Sequence, residues 1–387
     1  MTPYHLLRPL LFRFDAERAH GAALAAASAV GAVALGRAAL RSIYGFEDER
    51  LATEVAGLRF PNPLGLAAGL DKNGRAVQAL SCLGPGHVEI GSVSARPSRG
   101  NPRPRLFRLP ADEAIVVNYG VPNDGADAVA RRVSARPVPV PLGVNLVETN
   151  SGRPAPADEV IAELAEAARA FAGTADYLTL NLNCPNTTAG ASPFDDPAAV
   201  AALLAELAAV DGLPPVFLKI TARTDPPFIE AFLEAVDPFP RVAGFVFNLP
   251  PGKEYALRTP AAVVDPLPGT LCGPPARGLL DETVRAWYGR IDRRRHRIIG
   301  SGGIASAGDA WRKIRLGASL LQLYTGLVYH GPGLVRRINR GLVRLLEADG
   351  LAHVGEAVGL DSASSRGRRT RSSGAPRSAR PLAPARR

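Results

Sequence analysis

One cysteine of this sequence stands among amide side chains in a segment that could do chemistry. Residues 181–187 read Asn-Leu-Asn-Cys-Pro-Asn-Thr, with Cys184 at the centre. An accessible thiol can act as a base or a nucleophile once it is deprotonated. The asparagines would suit an apolar core poorly, but their amides could hold the polar edges of a flat ring. The alternative interpretation of Cys184 is a small buried apolar residue.

Lysine is rare in this chain and supplies only four of its 46 basic residues, namely Lys72, Lys219, Lys253 and Lys313. Arginine replaces the compact ammonium group poorly, so each lysine is a candidate for a specific contact. Plain coding bias would explain the same scarcity. Lys72 ends the segment Ala68-Gly-Leu-Asp-Lys72, which follows an apolar run, and Lys219 ends another such run.

Two glycine-containing segments could hold an anion. The first is Gly300-Ser-Gly-Gly-Ile304 and the second is Tyr324-Thr-Gly326, which precedes a Gly-Pro-Gly turn and a helix. Gly302 and Gly303 would let backbone N–H groups approach a ligand closely, and the loops after strands seven and eight of α/β barrels often hold phosphate. Tight turns without a ligand are the other interpretation.

Eight short apolar runs alternate with longer segments of helical periodicity from residue 63 onward. Such runs are typical of strands buried on both faces of a parallel sheet. Together they predict a closed (β/α)8 TIM barrel, with the active site at the carboxyl ends of the strands. The runs span residues 63–68, 87–93, 142–146, 177–182, 216–220, 243–248, 297–301 and 320–324, the clearest helical segments span 197–210, 228–236, 281–291 and 307–316, and residues 53–60 are predicted to form a hairpin at the bottom of the barrel.

Composition limits the class of protein. The net charge is +10, but residues 362–387 hold eight arginines and no acidic residue, so the remainder is nearly neutral and a nucleic-acid surface is not indicated. The three cysteines form no CxxC pair, which argues against a metal site or disulfides and for a reducing compartment. Residues 361–387 are rich in Ser, Arg, Ala and Pro and are predicted to form a disordered tail, with a weak attraction to acidic lipid as its one suggested role.

Residues 1–45 are predicted to form a helical extension before a barrel domain of residues 46–345. Apolar residues recur at helical spacing over 5–11 and again over 19–40. The second stretch is rich in Ala and Gly and follows several charged residues, so it fits neither a signal peptide nor a spanning helix well. We therefore expect two helices that pack on a membrane surface or, alternatively, on the barrel itself.

Several motifs together resemble the dihydroorotate dehydrogenase family. They occupy residues 62–72, 89–93, 104–109, 181–187, 298–304 and 322–326. The opening segment Phe14-Asp-Ala-Glu-Arg-Ala-His20 resembles the quinone-linked, membrane-associated branch of that family. The likeness covers about residues 4–345.

The resemblance implies an FMN-dependent oxidation of dihydroorotate to orotate in pyrimidine biosynthesis. A side-chain base takes a proton from C5 of the substrate while hydride passes from C6 to flavin N5, and an N-terminal helical pair admits the quinone. Cys184 falls on the position of the base, and His20 and Arg105 fall where the quinone is approached. The implied cofactor contacts are Ala68, Gly69, Leu70, Asp71, Lys72, Ser92, Asn145, Asn181, Lys219, Gly273, Gly302, Gly303, Tyr324 and Thr325, and the implied substrate contacts are Lys72, Asn123, Asn181, Asn186 and Asn248.

The sequence departs from the family pattern mainly around the substrate. Cys184 stands where the quinone branch usually has Ser, Glu148 where it usually has Lys, and Cys272 precedes Gly273 in place of Ser. The substrate loop reads Val117-Asn-Tyr-Gly-Val-Pro-Asn123 instead of Asn-Arg-Met-Gly-Phe-Asn-Asn, and the sixth-strand motif Thr-Asn-Thr-Thr becomes Phe247-Asn-Leu-Pro250. Each lost hydrogen-bond partner costs about 1–3 kcal/mol in a site built to use it, so flavin binding is the firmer expectation.

Three functions therefore remain open on the sequence. The first is a quinone-linked dihydroorotate dehydrogenase, expected as a monomer in peripheral contact with the cytoplasmic face of the cell membrane. The second is a flavin enzyme of the same family that acts on a different cyclic amide or heterocycle in secondary metabolism. The third is a catalytically weak flavoprotein with a binding or regulatory role.

Overall fold

The computed structural model describes residues 3–187 and 192–362. Within these ranges the strands are β1 (Thr53–Val55), β2 (Leu58–Phe60), β3 (Leu64–Leu66), β4 (His87–Val93), β5 (Leu106–Leu109), β6 (Ala114–Val117), β7 (Leu142–Leu146), β8 (Tyr177–Asn181), β9 (Val216–Thr221), β10 (Val242–Asn248), β11 (Thr270–Cys272), β12 (Arg297–Ser301) and β13 (Leu320–Leu323). The helices in the same ranges are α1 (Pro3–Leu11), α2 (Ala16–Ala32), α3 (Ala34–Tyr44), α4 (Val77–Leu80), α5 (Ala126–Ser134), α6 (Ala157–Ala170), α7 (Pro197–Ala208), α8 (Pro226–Val236), α9 (Ala261–Val264), α10 (Arg277–Tyr288), α11 (Ala307–Arg315), α12 (Thr325–His330) and α13 (Leu334–Asp349).

A closed barrel of parallel strands forms the centre of the described molecule. Its strands follow one another in the order β3, β4, β7, β8, β9, β10, β12 and β13, and β13 pairs again with β3. Each of them coincides with one of the predicted apolar runs, so the predicted TIM barrel is confirmed. Strands β4, β7, β8 and β10 are buried at every position, which explains why they are apolar without alternation.

The hairpin predicted over residues 53–60 is present as β1 and β2, and it closes the amino-terminal end of the barrel. Phe60 is fully buried, and the centroid of its ring lies 5.4 Å from that of His87 and 6.5 Å from that of Tyr177. His87 and Tyr177 are the first residues of β4 and β8. With this end filled by side chains, the carboxyl end is left for a ligand.

The long N-terminal helix predicted over residues 19–40 is in fact two helices. Val33 is extended, with φ −104° and ψ 140°, and the axes of α2 and α3 differ by 111°. Gly31 lies against Ala79, where an added Cβ would stand 2.8 Å from the Ala79 nitrogen, and Arg37 donates a hydrogen bond to the Gly31 carbonyl at 2.8 Å. Close packing on α4 thus ends α2, an effect that periodicity does not reveal.

The described part of the chain offers no single helix that is both long and apolar enough to cross a bilayer. The bent pair of α2 and α3 meets those criteria only when the two helices are counted together, and then by length and composition alone.

A three-stranded antiparallel sheet beside the mouth of the barrel was not predicted. It has the order β11, β6, β5, and Thr270 of β11 pairs with Val117 of β6. Each strand has only three or four residues, too few for a period to be visible. The sheet matters for function because it places the 117–123 loop over the barrel mouth.

Two boundaries predicted near the carboxyl end of the chain, the end of the barrel domain at residue 345 and the start of the tail at residue 361, lie too early in the sequence. Helix α13 continues to Asp349, and Val354 and Ala357 belong to the hydrophobic core, so residue 345 does not end the domain. Asp361 accepts hydrogen bonds from Arg315, the shortest at 2.8 Å, and the Ser362 hydroxyl donates to the Leu316 carbonyl at 2.8 Å. The tail predicted over 361–387 therefore begins no earlier than residue 363, and residues 363–387 lie outside the described ranges.

Candidate active site

A cavity opens at the carboxyl ends of the barrel strands, where the sequence predicted the site. Its walls come from the barrel strands, from the 117–123 loop and from α12. Most of the predicted residues line it, namely Ala68, Gly69, Lys72, Ser92, Asn181, Cys184, Asn186, Lys219, Asn248, Gly273, Gly302, Gly303, Tyr324 and Thr325. The barrel thus brings side chains that are up to about two hundred and fifty residues apart in sequence to one surface.

A buried carboxylate lies beneath this cavity, inside the barrel. Glu89 of β4 is 1% exposed and accepts hydrogen bonds from Asn145 at 2.9 Å, from Thr179 at 2.8 Å and from Gln322 at 2.7 Å. These donors come from β7, β8 and β13. A buried charge is costly unless it is well hydrogen-bonded, so Glu89 requires these three strands to hold their donors in place.

The hydrogen bonds continue from Glu89 to the cavity wall. The Ser92 hydroxyl donates to Asn145 Oδ1 at 2.5 Å, and Asn181 Nδ2 donates to Ser92 Oγ at 3.3 Å. Asn248 Nδ2 in turn donates to Asn181 Oδ1 at 2.7 Å and to the Asn183 carbonyl at 2.8 Å. In this series each side chain donates to the next one along the path to Glu89. The direction of the hydrogen bonds therefore fixes the orientation of each amide.

Three predicted cofactor contacts do not line the cavity. Asn145 is fully buried one hydrogen bond behind Ser92, and Leu70 packs against the hydrophobic core. The carboxylate of Asp71 accepts hydrogen bonds from the backbone N–H groups of Arg75 at 3.0 Å and Ala76 at 2.7 Å. Asp71 thereby shapes the turn before α4 and sets the course of the loop that carries Lys72.

The predicted substrate contact Asn123 also lies away from the cavity. Its Oδ1 accepts hydrogen bonds from the backbone N–H groups of Ser94 and Gly125, at 3.2 and 2.9 Å. Its Nδ2 donates to Ser94 Oγ at 2.8 Å and to the Val121 carbonyl at 2.9 Å. The side chain is 5% exposed and holds the loop together, so a direct role in binding the substrate is not supported.

Lys72 lies against the 117–123 loop, the loop that departs from the family pattern. Its Nζ lies 3.7 Å from the centroid of the Tyr119 ring and donates to the Gly69 carbonyl at 2.8 Å. Burial, reinforced by the charge of Arg105, lowers the pKa of Lys72 to about 8. The ammonium form still predominates at pH 7, so a positive charge faces the cavity there.

Cys184 is half-buried at the cavity wall just beyond the end of β8. Burial raises the pKa of its thiol. The backbone N–H of Asn186 and the charge of Lys219 oppose that rise, whereas the charge of Glu148 adds to it. A lysine and a carboxylate thus act on the thiol in opposite directions, and its proton is held more tightly than in water.

The glycine-rich rim has the geometry of an anion site. Gly302 and Gly303 have φ values of +81° and +68°, and within the described ranges no acceptor takes a hydrogen bond from either backbone N–H. Both residues line the cavity together with Tyr324 and Thr325. The Gly303 carbonyl points the other way and accepts from Arg277 Nε at 2.9 Å. Free N–H groups at such a rim suit a phosphate.

Two buried amide oxygens at the cavity lack a protein partner among the described residues. They are Oε1 of Gln322 and Oδ1 of Asn186, and both side chains belong to the cavity lining. Buried polar atoms are almost always hydrogen-bonded. A ligand whose ring carries N–H groups would satisfy them, so the residues present fit a flavin and a cyclic amide.

The predicted quinone-side residues lie where the N-terminal helix α2 meets the cavity. Arg105 is 6% exposed and pairs with Glu17 of α2, at 2.8 Å from Nη2 to Oε1. The ring centroid of His20 lies 6.4 Å from that of Tyr324. Burial, reinforced by the charge of Lys72, lowers the pKa of His20 to about 4, so it is neutral at pH 7.

Sequence reasoning assigned no role to several residues of the site. Tyr119 belongs to the 117–123 loop, whose sequence differs from the family pattern. Gln322 stands two positions before Tyr324 in an otherwise apolar strand. That spacing of two was a usable signal for Gln322, because alternate residues of a strand share a face. No comparable signal marks Tyr119 or Glu17, since long-range packing places both.

The fold and the site together define an α/β-barrel enzyme with an anion-binding rim and a polar ring-binding wall. A family model described as dihydroorotate dehydrogenase matches residues 50–346. Two relatives named dihydroorotate dehydrogenase (quinone) are those of Natronomonas pharaonis, 39% identical over 93% of this chain and 100% of the relative, and Roseiflexus castenholzii, 40% identical over 93% and 97%. A solved structure of ligand-free DHODH from Eimeria tenella matches with a TM-score of 0.74 and 27% identity, over 85% of this chain and 99% of that one.

This chain belongs to the dihydroorotate dehydrogenase family. The resemblance seen in the sequence is thereby confirmed, and with it a flavin-dependent oxidoreductase that acts on CH–CH bonds.

Replacing Gly303 with alanine is expected to weaken flavin binding by roughly 5- to 30-fold, as its left-handed backbone costs an L-residue about 1–2 kcal/mol. The added Cβ would also stand 2.7 Å from Arg277 Cβ, which pushes the free N–H groups away from the cavity. Titration of the apoprotein with flavin, followed by fluorescence quenching, measures the effect. Gly308→Ala is the matched control, since a Cβ there meets nothing closer than 3.7 Å. Equal affinities for the two variants would show that this rim does not hold the flavin.

Proposed function

We propose that this protein oxidises dihydroorotate to orotate in pyrimidine biosynthesis, with FMN as its flavin and a quinone as electron acceptor. One observation carries the proposal. In a chain of this family, the thiol of Cys184 and the amides of Asn181, Asn186 and Asn248 line the same cavity as the glycine rim. A proton acceptor, a ring-binding wall and a phosphate site are what this reaction needs.

The cavity residues divide between cofactor and substrate. Backbone N–H groups at Gly302 and Gly303, with Tyr324 and Thr325, would hold the single phosphate of FMN. Lys72 and Lys219 would bring positive charge to the ring system. When bound, the flavin supplies the two-electron acceptor for the hydride that leaves C6 of the substrate.

The chain itself supplies proton transfer and orientation. Asn248 and Asn181 are fixed by the hydrogen bonds that end on Glu89, so they present their remaining amide groups in one orientation. Cys184 would take the proton from C5. Because burial raises the pKa of this thiol, less thiolate is present at neutral pH, but the thiolate that forms is a stronger base. Proton abstraction should therefore become faster as the pH rises.

A different cyclic amide is the second candidate substrate. Val117, Phe247 and Leu249 line the cavity where the family usually has polar residues. These side chains remove hydrogen-bond partners from the cavity wall but leave the asparagines in place. A ring without the carboxylate of dihydroorotate would suit such a wall.

The N-terminal helices supply the proposed quinone route and the proposed membrane contact. The cavity reaches Tyr329 and His330 of α12, and α1 packs there through a hydrogen bond from Arg8 to the Tyr329 carbonyl at 3.1 Å. The outer side of this region exposes large apolar side chains, namely Leu6, Leu7, Leu10, Leu11, Phe14, Val30, Val33, Leu35 and Ile43. Residues 1–45 would thus lie on the cytoplasmic face of the membrane and admit a quinone past His20 and Arg105 into a monomer.

Anaerobic addition of dihydroorotate to the purified flavoprotein is expected to bleach the oxidised flavin absorbance within one turnover. Reoxidation by a soluble quinone should restore it. A flavin that stays oxidised with dihydroorotate but bleaches with another dihydropyrimidine or lactam would transfer the function to the second candidate. A flavin that no such ring reduces would leave a binding or regulatory flavoprotein.

Cys184→Ala is expected to slow flavin reduction by about 10²- to 10⁴-fold, the usual contribution of a positioned general base. Flavin content should stay normal, because Cys184 is not needed to hold the cofactor. Cys184→Ser should keep part of the rate with its pH dependence moved to higher pH, since a hydroxyl loses its proton less readily than a thiol. Stopped-flow absorbance across a pH series measures both variants, and an unchanged rate in Cys184→Ala would refute the assignment.

The double variant Leu6→Glu and Leu10→Glu is expected to abolish binding to lipid vesicles and to reduce quinone turnover at least tenfold. The two side chains are 74% and 55% exposed on α1, and burying a leucine in lipid is worth about 1.5–3 kcal/mol. Reduction of a water-soluble dye should be unaffected. Val263→Glu, at a 53% exposed apolar residue outside the N-terminal helices, is the control. Vesicle binding that survives in the double variant would contradict the proposed contact.

A further inference from the structure

A second, smaller cavity shares Cys184 and Asn181 with the main one. It measures about 20 Å³, which is room for about one water molecule. Cys184, Thr187 and Glu148 all line it, and the remaining walls are Val147, Asn181, Leu182, Ser192 and Phe194. Cys184 therefore lines both the ligand cavity and a compact space that also holds a carboxylate.

Glu148 is the only acidic side chain in the described lining of this space, and its contacts leave it able to accept a proton. The Thr187 hydroxyl is 3.4 Å from Glu148 Oε1 and 3.3 Å from the Cys184 carbonyl. The nearby carboxylate of Glu163 is already engaged by Arg96 at 2.9 Å and by Thr149 at 2.5 Å. Among the described residues no cation pairs with Glu148, so nothing there holds it permanently ionised.

The charges around the space favour proton movement toward Glu148. Burial, together with the charge of Glu163, raises the pKa of Glu148. A higher pKa makes this carboxylate a better proton acceptor. The charge of Lys219, which lines the main cavity, favours the thiolate that remains. The charge of Glu163 thus acts on Glu148, and the charge of Lys219 acts on Cys184.

We propose that Glu148 takes the proton of the Cys184 thiol, through the Thr187 hydroxyl and one water, so that the thiolate forms as the substrate reacts. The proposal rests on the proposed role of Cys184 as the base. The S–H bond breaks and an O–H bond forms on Glu148; the C5–H bond then breaks and the S–H bond forms again. Glu148 releases its proton to solvent, so one proton leaves per turnover. Glu148 never touches the substrate and acts only through Cys184.

Two opposite effects of Glu148→Gln test this relay. Flavin reduction by dihydroorotate near neutral pH should fall roughly 10- to 100-fold, the lower range for a positioned proton-transfer group. The rate should approach that of the unmodified protein at alkaline pH, where solvent removes the thiol proton. Meanwhile the loss of a negative charge should lower the pKa of Cys184. Its alkylation by iodoacetamide, located by mass spectrometry, should then extend to lower pH.

Matched variants separate the relay from a structural effect. Glu148→Asp keeps a carboxylate and should recover part of the neutral-pH rate. Glu166→Gln removes an exposed charge on α6, 3.7 Å from Arg96, and should change neither readout. Equal loss of rate at every pH in Glu148→Gln would overturn the relay, as would an unchanged profile.

The alkylation readout also keeps the relay distinguishable from the proposed substrate. If dihydroorotate fails to reduce the flavin of the unmodified protein, the proposed function fails on that result alone. Coupling between Glu148 and Cys184 is then decided by alkylation: a profile that moves to lower pH in Glu148→Gln supports it. A profile that does not move overturns it.

Discussion

The carboxylate of Glu89 is the constraint on which the rest of the site depends. A buried carboxylate without partners costs several kcal/mol, and here three neutral donors from three other strands satisfy it. Those donors must stay in register for the barrel to close without an unpaired charge. The same requirement fixes the orientation of the Asn145 amide, which accepts the hydrogen bond of the Ser92 hydroxyl. Asn181 donates to Ser92 in turn, and Asn248 donates to Asn181. Stability of the barrel interior and orientation of the ligand-binding wall are therefore one network.

A second buried charge connects the barrel to its N-terminal helices. The guanidinium of Arg105 is held by three backbone carbonyls, those of Arg99, Asn101 and Tyr119, and it pairs with Glu17 of α2. Removing either partner would leave a charge poorly compensated, so α2 is tied to the mouth of the cavity. Because the Tyr119 carbonyl accepts a hydrogen bond from the same guanidinium, the position of α2 and the shape of the 117–123 loop are linked. A membrane that held α1 to α3 would thus act on the same wall that receives the ligand.

The sequence predicted the barrel well because strands buried on both faces have little freedom in composition. It predicted the polar rim equally well, since the carboxyl ends of parallel strands meet by topology. The sheet of β5, β6 and β11 was missed because its pairing joins Val117 to Thr270 across a long stretch of chain. Side-chain direction was the other limit. Asp71 and Asn123 have residue types that suit ligand binding, yet both turn toward backbone N–H groups, which only the folded loops reveal.

The two departures closest to the chemistry, Cys184 and Glu148, have opposing effects that belong together. A thiol gives up its proton more readily than a hydroxyl, so its conjugate base is the weaker one. A carboxylate beside that thiol raises its pKa and thereby restores basicity that the change from Ser to Cys removes. A lysine in the place of Glu148 would act in the opposite direction, stabilising the thiolate and weakening it further as a base. Electrostatics thus favours the presence of the thiol and the carboxylate in the same chain, where both residues line a space that one water can fill.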